Sequence, residues 1–173
     1  TIQSPKEKKY ALMLRIPGWI NNPTCKVNGR PVDEELESGN YVKLSRIWKS
    51  ADIVELELPM PAQLIEANPL VEECRNQVAV KRGPIVYCLE SHDLPKGVGV
   101  LDVTIPVDTK FSAQYQTELL GGVTVLEGRV LSKEPGTWTN TLYRERQKQL
   151  LKSLDIKLIP YYAWSNRGKA DMT

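Results

Sequence analysis

Three thiols, one imidazole and a scatter of carboxylates are the groups in this sequence that could make or break a covalent bond. The thiols are Cys25, Cys74 and Cys88, and the imidazole is His92. A cysteine or serine nucleophile needs a base beside it, and His92 is the one histidine on offer. It sits next to Asp93 in SHDLPKGVG, where a solvated loop side chain is expected and no catalytic partner is signposted. No CxxC pair occurs, and scattered thiols with one histidine lack the clustered ligands a zinc centre needs. An odd thiol count closes no disulfide framework, so the cysteines are read as small buried apolar residues.

Sugar hydrolysis asks instead for paired carboxylates. Glu55 and Glu57 alternate on the wet face of one strand, and Glu66, Glu72 and Glu73 surround a proline-rich turn, where exposure is expected. Glu90 draws more interest because it ends the apolar run PIVYCL. The expectation is still a strand-end acid facing water, since burying an unpaired carboxylate is costly. Gly121-Gly122 is a turn before a strand rather than a phosphate cradle, because no helix follows to offer its N-terminus.

The aromatic residues Trp19, Trp48, Trp138, Trp164, Tyr161 and Tyr162 could stack on sugar rings. Trp48 continues an apolar strand face and is read as core, and Trp138 lies in the loosest loop. Tyr161-Tyr162-Ala163-Trp164 stands where a strand leaves its sheet, a place equally suited to docking another domain. Trp19, Tyr161, Tyr162, Trp164, Asn166 and Arg167 are therefore the candidate contacts to a neighbouring domain or to a sugar. No residue is assigned a catalytic, cofactor-binding or metal-binding role.

The elements that must position these groups are strands. In YALMLRI, Tyr10, Leu12, Leu14 and Ile16 share one face, and in DIVELELPM, Val54, Leu56 and Leu58 oppose Ile53, Glu55 and Glu57. Such two-sided strands suit antiparallel sheets with one wet face. Asn28-Gly29 between short apolar pieces predicts a tight hairpin. NQVAVKRGPIVYCLE predicts two strands broken at Gly83-Pro84, with Ile85, Tyr87 and Leu89 facing away from Val86, Cys88 and Glu90. VLDVTIPV, GGVTVLEGRVL and LDIKLIPYYAW follow as further strands, and SKEPGTWTNTLYRERQKQLLKS as a long hairpin loop or short surface helix. No sustained helical stripe appears.

The fold expected is all-β, an antiparallel sandwich or jelly-roll-like arrangement with little helix. Leu14, Ile16, Val42, Leu44, Val54, Leu56, Val80, Tyr87, Ile156 and Leu158 are the expected core. The polar connector after Glu90 suggests a first sandwich over 1–90 and a β-rich segment over 91–173 that completes it or forms a second small sandwich.

With 173 residues and a net charge of +2, the chain has ordinary soluble composition and no basic block interleaved with aromatics. Nucleic-acid and membrane partners are not expected. Its opening, TIQSPKEKKY, lacks both an initiator Met and the apolar core of a signal peptide, and suggests a piece of a longer chain whose earliest strands are missing, with a mature N-terminus left by processing as the alternative.

The order LRIPGW (14–19), VNGRPV (27–32), GNYVKLSRIWKSADIVELELPM (39–60), VAVKRGPIVYCLE (78–90) and IPYYAWSNRG (159–168) resembles the C-terminal β-sandwich region of glycoside hydrolase family 127, the β-L-arabinofuranosidase type. The resemblance implies an upstream (α/α)6 barrel in which a cysteine nucleophile acts with zinc and a glutamate acid/base. None of that barrel's motifs is present, so neither nucleophile nor zinc ligands carry over to Cys25, Cys74 or Cys88. What it implies here is an accessory sandwich packed on the barrel, with an oligomer interface as a further role and zinc confined to the catalytic domain. An autonomous carbohydrate-binding module is the alternative. Periplasm and cytoplasm of a bacterium both fit.

Overall fold

The computed structural model describes residues 1–3, 6–134, 141–146 and 148–173. These are strands joined by turns, with short 3-10 turns in place of longer helices. The chain divides into two compact units, Thr1–Pro61 and Ala62–Thr173. That boundary replaces the division expected after residue 90: the Pro59-Met60-Pro61 stop separates the units, and the strand pair around Gly83-Pro84 lies inside the second.

In the first unit, β1 (Lys8–Arg15) pairs antiparallel with β4 (Tyr41–Trp48), from Lys8 opposite Trp48 to Arg15 opposite Tyr41. A second sheet has the order β3 (Arg30–Pro31), β2 (Thr24–Val27), β5 (Val54–Glu57). The β2–β3 turn is Asn28-Gly29, both at positive φ (52° and 76°), the conformation these two residues tolerate best. Asn28 also fastens the turn to its neighbours: its amide donates to Asp52 Oδ1 and its oxygen accepts from the Ile53 N–H, each at 2.8 Å.

Alternation sends one face of each sheet into a common core. Ile16, Ile20, Cys25, Val27, Val42, Leu44 and Trp48 are buried there, and Leu12, Leu14, Val54, Leu56 and Leu58 pack against them. Side chains of both sheets meet, so this unit is a small two-layer sandwich. Leu56 is only half-buried at its margin. Leu56→Ala is expected to cost about 2 kcal/mol, the lower end for leucine truncation, read from urea unfolding followed on residues 1–61. An unchanged midpoint would contradict the strand register.

The second unit holds one seven-stranded sheet. Its path is β10 (Phe111–Gln116), β11 (Val123–Lys133), β12 (Leu151–Pro160), β8 (Ile85–Cys88), β7 (Val78–Arg82), β6 (Ala62–Glu66), and β9 (Val103–Thr104) also pairs with β11. Val80, Tyr87, Leu89, Leu126, Val130, Ile156 and Leu158 form its inner core, joined by Leu64 of β6, Val103 of β9 and Phe111 of β10. Since every strand contributes to one cluster, the sheet curls around it. Gly128 stands opposite Phe111, whose ring lies 2.6 Å from where a Cβ would be, so the aromatic fills the place a side chain would need.

A thinner layer covers the outer face, made of Cys88, Val123, Val125, Ile159 and Ala163 with Leu119, Leu120 and Met172. β11 and β12, consecutive in the chain, pair antiparallel from Leu126 opposite Leu158 to Lys133 opposite Leu151; the sequence between them was expected to be a long hairpin loop or short surface helix. Its 135–140 stretch, including Trp138, and residue 147 lie outside the described residues.

Candidate functional site

Period-two alternation along β8 puts Cys88, and Glu90 just beyond it, on the outer face of the sheet, under the C-terminal segment. Glu90 is not a solvated strand-end acid: its side chain is 0% exposed. It tolerates burial because its charge is answered. Glu90 Oε1 accepts the Ser165 N–H at 2.8 Å, and Oε2 accepts Arg167 Nε–H at 2.9 Å and an Nη2–H as well. The other edge of the same guanidinium reaches Asp93, with Nη1–H to Oδ1 at 3.0 Å and Nη2–H to Oδ2. Lys157 Nζ lies 3.3 Å from Asp93 Oδ1. Two carboxylates thus face two cations, with all four carboxylate oxygens engaged.

The backbone completes this clasp. Leu89 N–H donates to Thr173 O at 2.9 Å and Thr173 N–H returns to Leu89 O at 3.1 Å, while Ser91 N–H donates to Asp171 O at 2.9 Å. Glu90 stands opposite Met172 in this added bridge. Residues 161–173 therefore run as a strap over the outer layer, bent where Ser165 (φ 63°) and Gly168 (φ 109°) enter the left-handed region.

Electrostatics follow the geometry. Burial pushes Asp93 up, yet the hydrogen bonds and charge of Arg167, with Lys157 behind them, hold it below the ordinary carboxylate range. Arg167 is held charged, raised by its bonds to Asp93 and Glu90. Cys88 is pushed up to about 11, by burial first and by Glu90 next. A neutral thiol under an apolar layer is no nucleophile. Cys25 is raised as well, by burial and by Glu34.

The remaining acids are where the sequence placed them. Glu55, Glu57, Glu66, Glu72 and Glu73 are exposed. Glu57 accepts from Thr24 Oγ1 at 3.0 Å, and Glu72 pairs with Arg75. His92 is exposed in the turn Ser91–Asp93. Next to the clasp, Glu127, Arg129, Asp155 and Lys157 line an open groove of about 690 Å³, across which Arg129 and Asp155 pair at 2.8 Å. Among the described residues no three His, Cys, Asp or Glu side chains gather where they could hold a metal ion.

Of the candidate contact residues, Tyr161, Tyr162, Trp164, Asn166 and Arg167 share the strap, whereas Trp19 packs at the core of the other unit. The Tyr161 and Trp164 rings stack with centroids 6.1 Å apart at 27°, and Tyr162 is 68% exposed. Asn166 caps the turn through Nδ2–H to Ala163 O at 3.2 Å. Arg167 turns its polar atoms inward. The pairing of Glu90 with Arg167, 77 residues later, is the feature sequence reasoning missed.

Residues 62–173 match the glycoside hydrolase family 127 C-terminal domain, and residues 1–60 match the GH127 middle domain of β-L-arabinofuranosidase. The chain belongs to glycoside hydrolase family 127. A non-reducing end β-L-arabinofuranosidase of Bifidobacterium longum subsp. longum is 34% identical over 164 residues, covering 92% of this chain and 24% of that protein. A solved glycoside hydrolase is 44% identical with a TM-score of 0.84, over 95% of this chain and 27% of its own. A GH127 β-L-arabinofuranosidase from Geobacillus stearothermophilus T6 is 36% identical with a TM-score of 0.86, over 99% and 27%. This family 127 chain thus spans about a quarter of the length of the relatives it matches.

Proposed function

We propose that this chain is the accessory, non-catalytic β region of a β-L-arabinofuranosidase-like glycoside hydrolase, and that it packs on a catalytic (α/α)6 barrel elsewhere in the longer protein. One observation carries the reading: among the described residues the buried carboxylates have every oxygen bound, Glu90 and Asp93 by Ser165, Arg167 and Lys157, and Asp52 by Asn28 and the Lys49 N–H. An acid/base residue needs a proton site open toward substrate, and these have none. The exposed Tyr161, Tyr162 and Trp164 are the surface offered to the neighbouring domain, since such rings are enriched where protein meets protein.

The test has three arms on the isolated chain. A chromogenic β-L-arabinofuranoside is expected to remain intact, and calorimetric titration with arabino-oligosaccharides is expected to give no heat. Separately produced barrel is expected to bind, about tenfold more weakly to Trp164→Ala or Tyr162→Ala, the loss of one interface anchor. Turnover would make the chain an enzyme, and a saturable sugar isotherm lost on Trp164→Ala would make it a carbohydrate-binding module. A second copy is the other neighbour this face fits, which sedimentation velocity of the isolated chain distinguishes.

A further inference from the structure

One side of the first unit's sandwich is open. β4 pairs with β1 and, among the described residues, with no other strand. In an antiparallel pair, alternate residues turn their N–H and C=O away from the partner. The far edge of β4 therefore presents a row of unpaired backbone groups, the kind of edge that invites another strand. Among the described residues no backbone hydrogen bond from a turn or loop reaches Leu44, Ser45 or Arg46.

A groove of about 680 Å³ runs along this edge. Leu44, Ser45 and Arg46 all line it, although successive side chains of a strand point to opposite faces. What the three share is their backbone edge, so the β4 main chain itself is one wall. β3 and the bend after it, residues 30–34, form the other wall. Leu44 and Val27, 2% and 5% exposed, belong to the core and border the groove at its base.

Arg46 marks the same opening from inside. Alternation groups it with the buried Val42, Leu44 and Trp48, yet it is exposed, with its guanidinium over the Trp48 ring. Another strand beside β4 would cover its stem and continue the core face. The walls carry both signs, Arg30 and Arg46 against Asp33 and Glu34. Among the described residues no ion pair involves any of these four.

We propose that this groove takes an extended segment of the longer protein, added to β4 as a further strand. Backbone pairing supplies the affinity in such strand addition, and alternate side chains supply the register. Here those side chains meet Leu44 and Val27, or the charges of Arg30, Asp33, Glu34 and Arg46. A segment of about five residues, the common strand length, suits the edge. This chain spans about a quarter of the relatives it matches, so most of such a protein lies outside residues 1–173. A segment from there is covalently joined and has an effective concentration that a second copy lacks. This contact rests on the reading that the chain is part of a longer protein, and adds to it a docking site made by backbone rather than by aromatic rings.

Amide hydrogen exchange, resolved residue by residue, is compared between the isolated chain and the longer protein. Relative to the β4 amides bonded to β1, those facing away are expected to exchange about a hundredfold more slowly in the longer protein. A benzoylphenylalanine placed at position 46 is expected to cross-link, on irradiation, to a peptide of the same chain outside residues 1–173. Cross-linked dimers, or cross-links confined to residues 1–173, would overturn the proposal. So would outward amides as open in the longer protein as in the isolated chain, the result expected where water alone lines the edge. The exchange comparison uses the unsubstituted chain, so it decides even where the cross-linker disturbs folding. If separately produced barrel fails to bind the isolated chain, the accessory reading falls while protection of the β4 edge stands. An open β4 edge in a protein whose barrel still binds this chain overturns the strand addition alone.

Discussion

Arg167→Met is expected to destabilise the second unit by about 3–5 kcal/mol, the range for removing one partner of a buried ion pair. Methionine keeps most of the stem's volume, so packing changes little and the loss isolates the charge. What remains is severe. Glu90, fully buried, keeps only the Ser165 N–H, and Asp93 keeps only Lys157. The strap is then expected to lift, because water reaches those carboxylates only if residues 161–173 leave the sheet. Urea unfolding reads the stability, and the rate at which a thiol reagent modifies Cys88 reads the lifting, since Cys88 lies beneath Ala163 and Met172. Adding Glu90→Gln to Arg167→Met removes one stranded charge and is expected to recover part of the loss. A midpoint unchanged by Arg167→Met would mean that the pairing contributes nothing to the fold.

The same clasp sets an acid limit. Asp93 titrates lower in the folded chain than in the unfolded one. Its contribution is therefore complete above the unfolded carboxylate value of about 4 and fades as pH falls through the lower folded value. Arg167 stays charged throughout. Stability is expected to fall on acidification below about pH 4, and less steeply in Asp93→Asn, which has already lost that contribution.

How much of this was legible depended on how far a residue's partner lies along the chain. DIVELELPM and YVKLSRIW announced their strands because one side of each faces water, and a local pattern records that asymmetry. AQLIE and FSAQYQ announced nothing: β6 and β10 carry weak alternation and form as strands by pairing with β7 and β11. The unit boundary was misplaced because the polar SHDLPKGVG looked like a linker, whereas Ser91 and Asp93 lie inside the clasp. Pro59 and Pro61 were visible as strand stops, but a stop does not say whether the next strand joins the same core. Glu90 was misjudged for a related reason. The cost of burying it is local and calculable, and the guanidinium that offsets it comes from a strap that only the folded sheet brings near. The family resemblance, by contrast, rested on motif order and needed no contacts.

Trp48→Ala is the second large effect, expected to cost the first unit about 3–5 kcal/mol. Trp48 is fully buried between the two sheets of the sandwich, and its indole N–H donates to Tyr10 O at 3.2 Å. Its ring lies 5.9 Å from that of Tyr10, and the Arg46 guanidinium sits 5.2 Å over it. Truncation removes the largest fully buried side chain of this core, opens a cavity and leaves the Tyr10 carbonyl without that donor. A unit of 61 residues has little reserve, about 3–5 kcal/mol from one such core, so the loss approaches its whole stability. Amide exchange in the β1–β4 ladder is therefore expected to lose nearly all protection in Trp48→Ala. Trp48→Phe restores an aromatic ring without the N–H, and is expected to keep most of that protection at a cost of about 1–2 kcal/mol. If Trp48→Ala kept the ladder protected, some other contact, such as the partly buried Trp19, would have to hold the two sheets together.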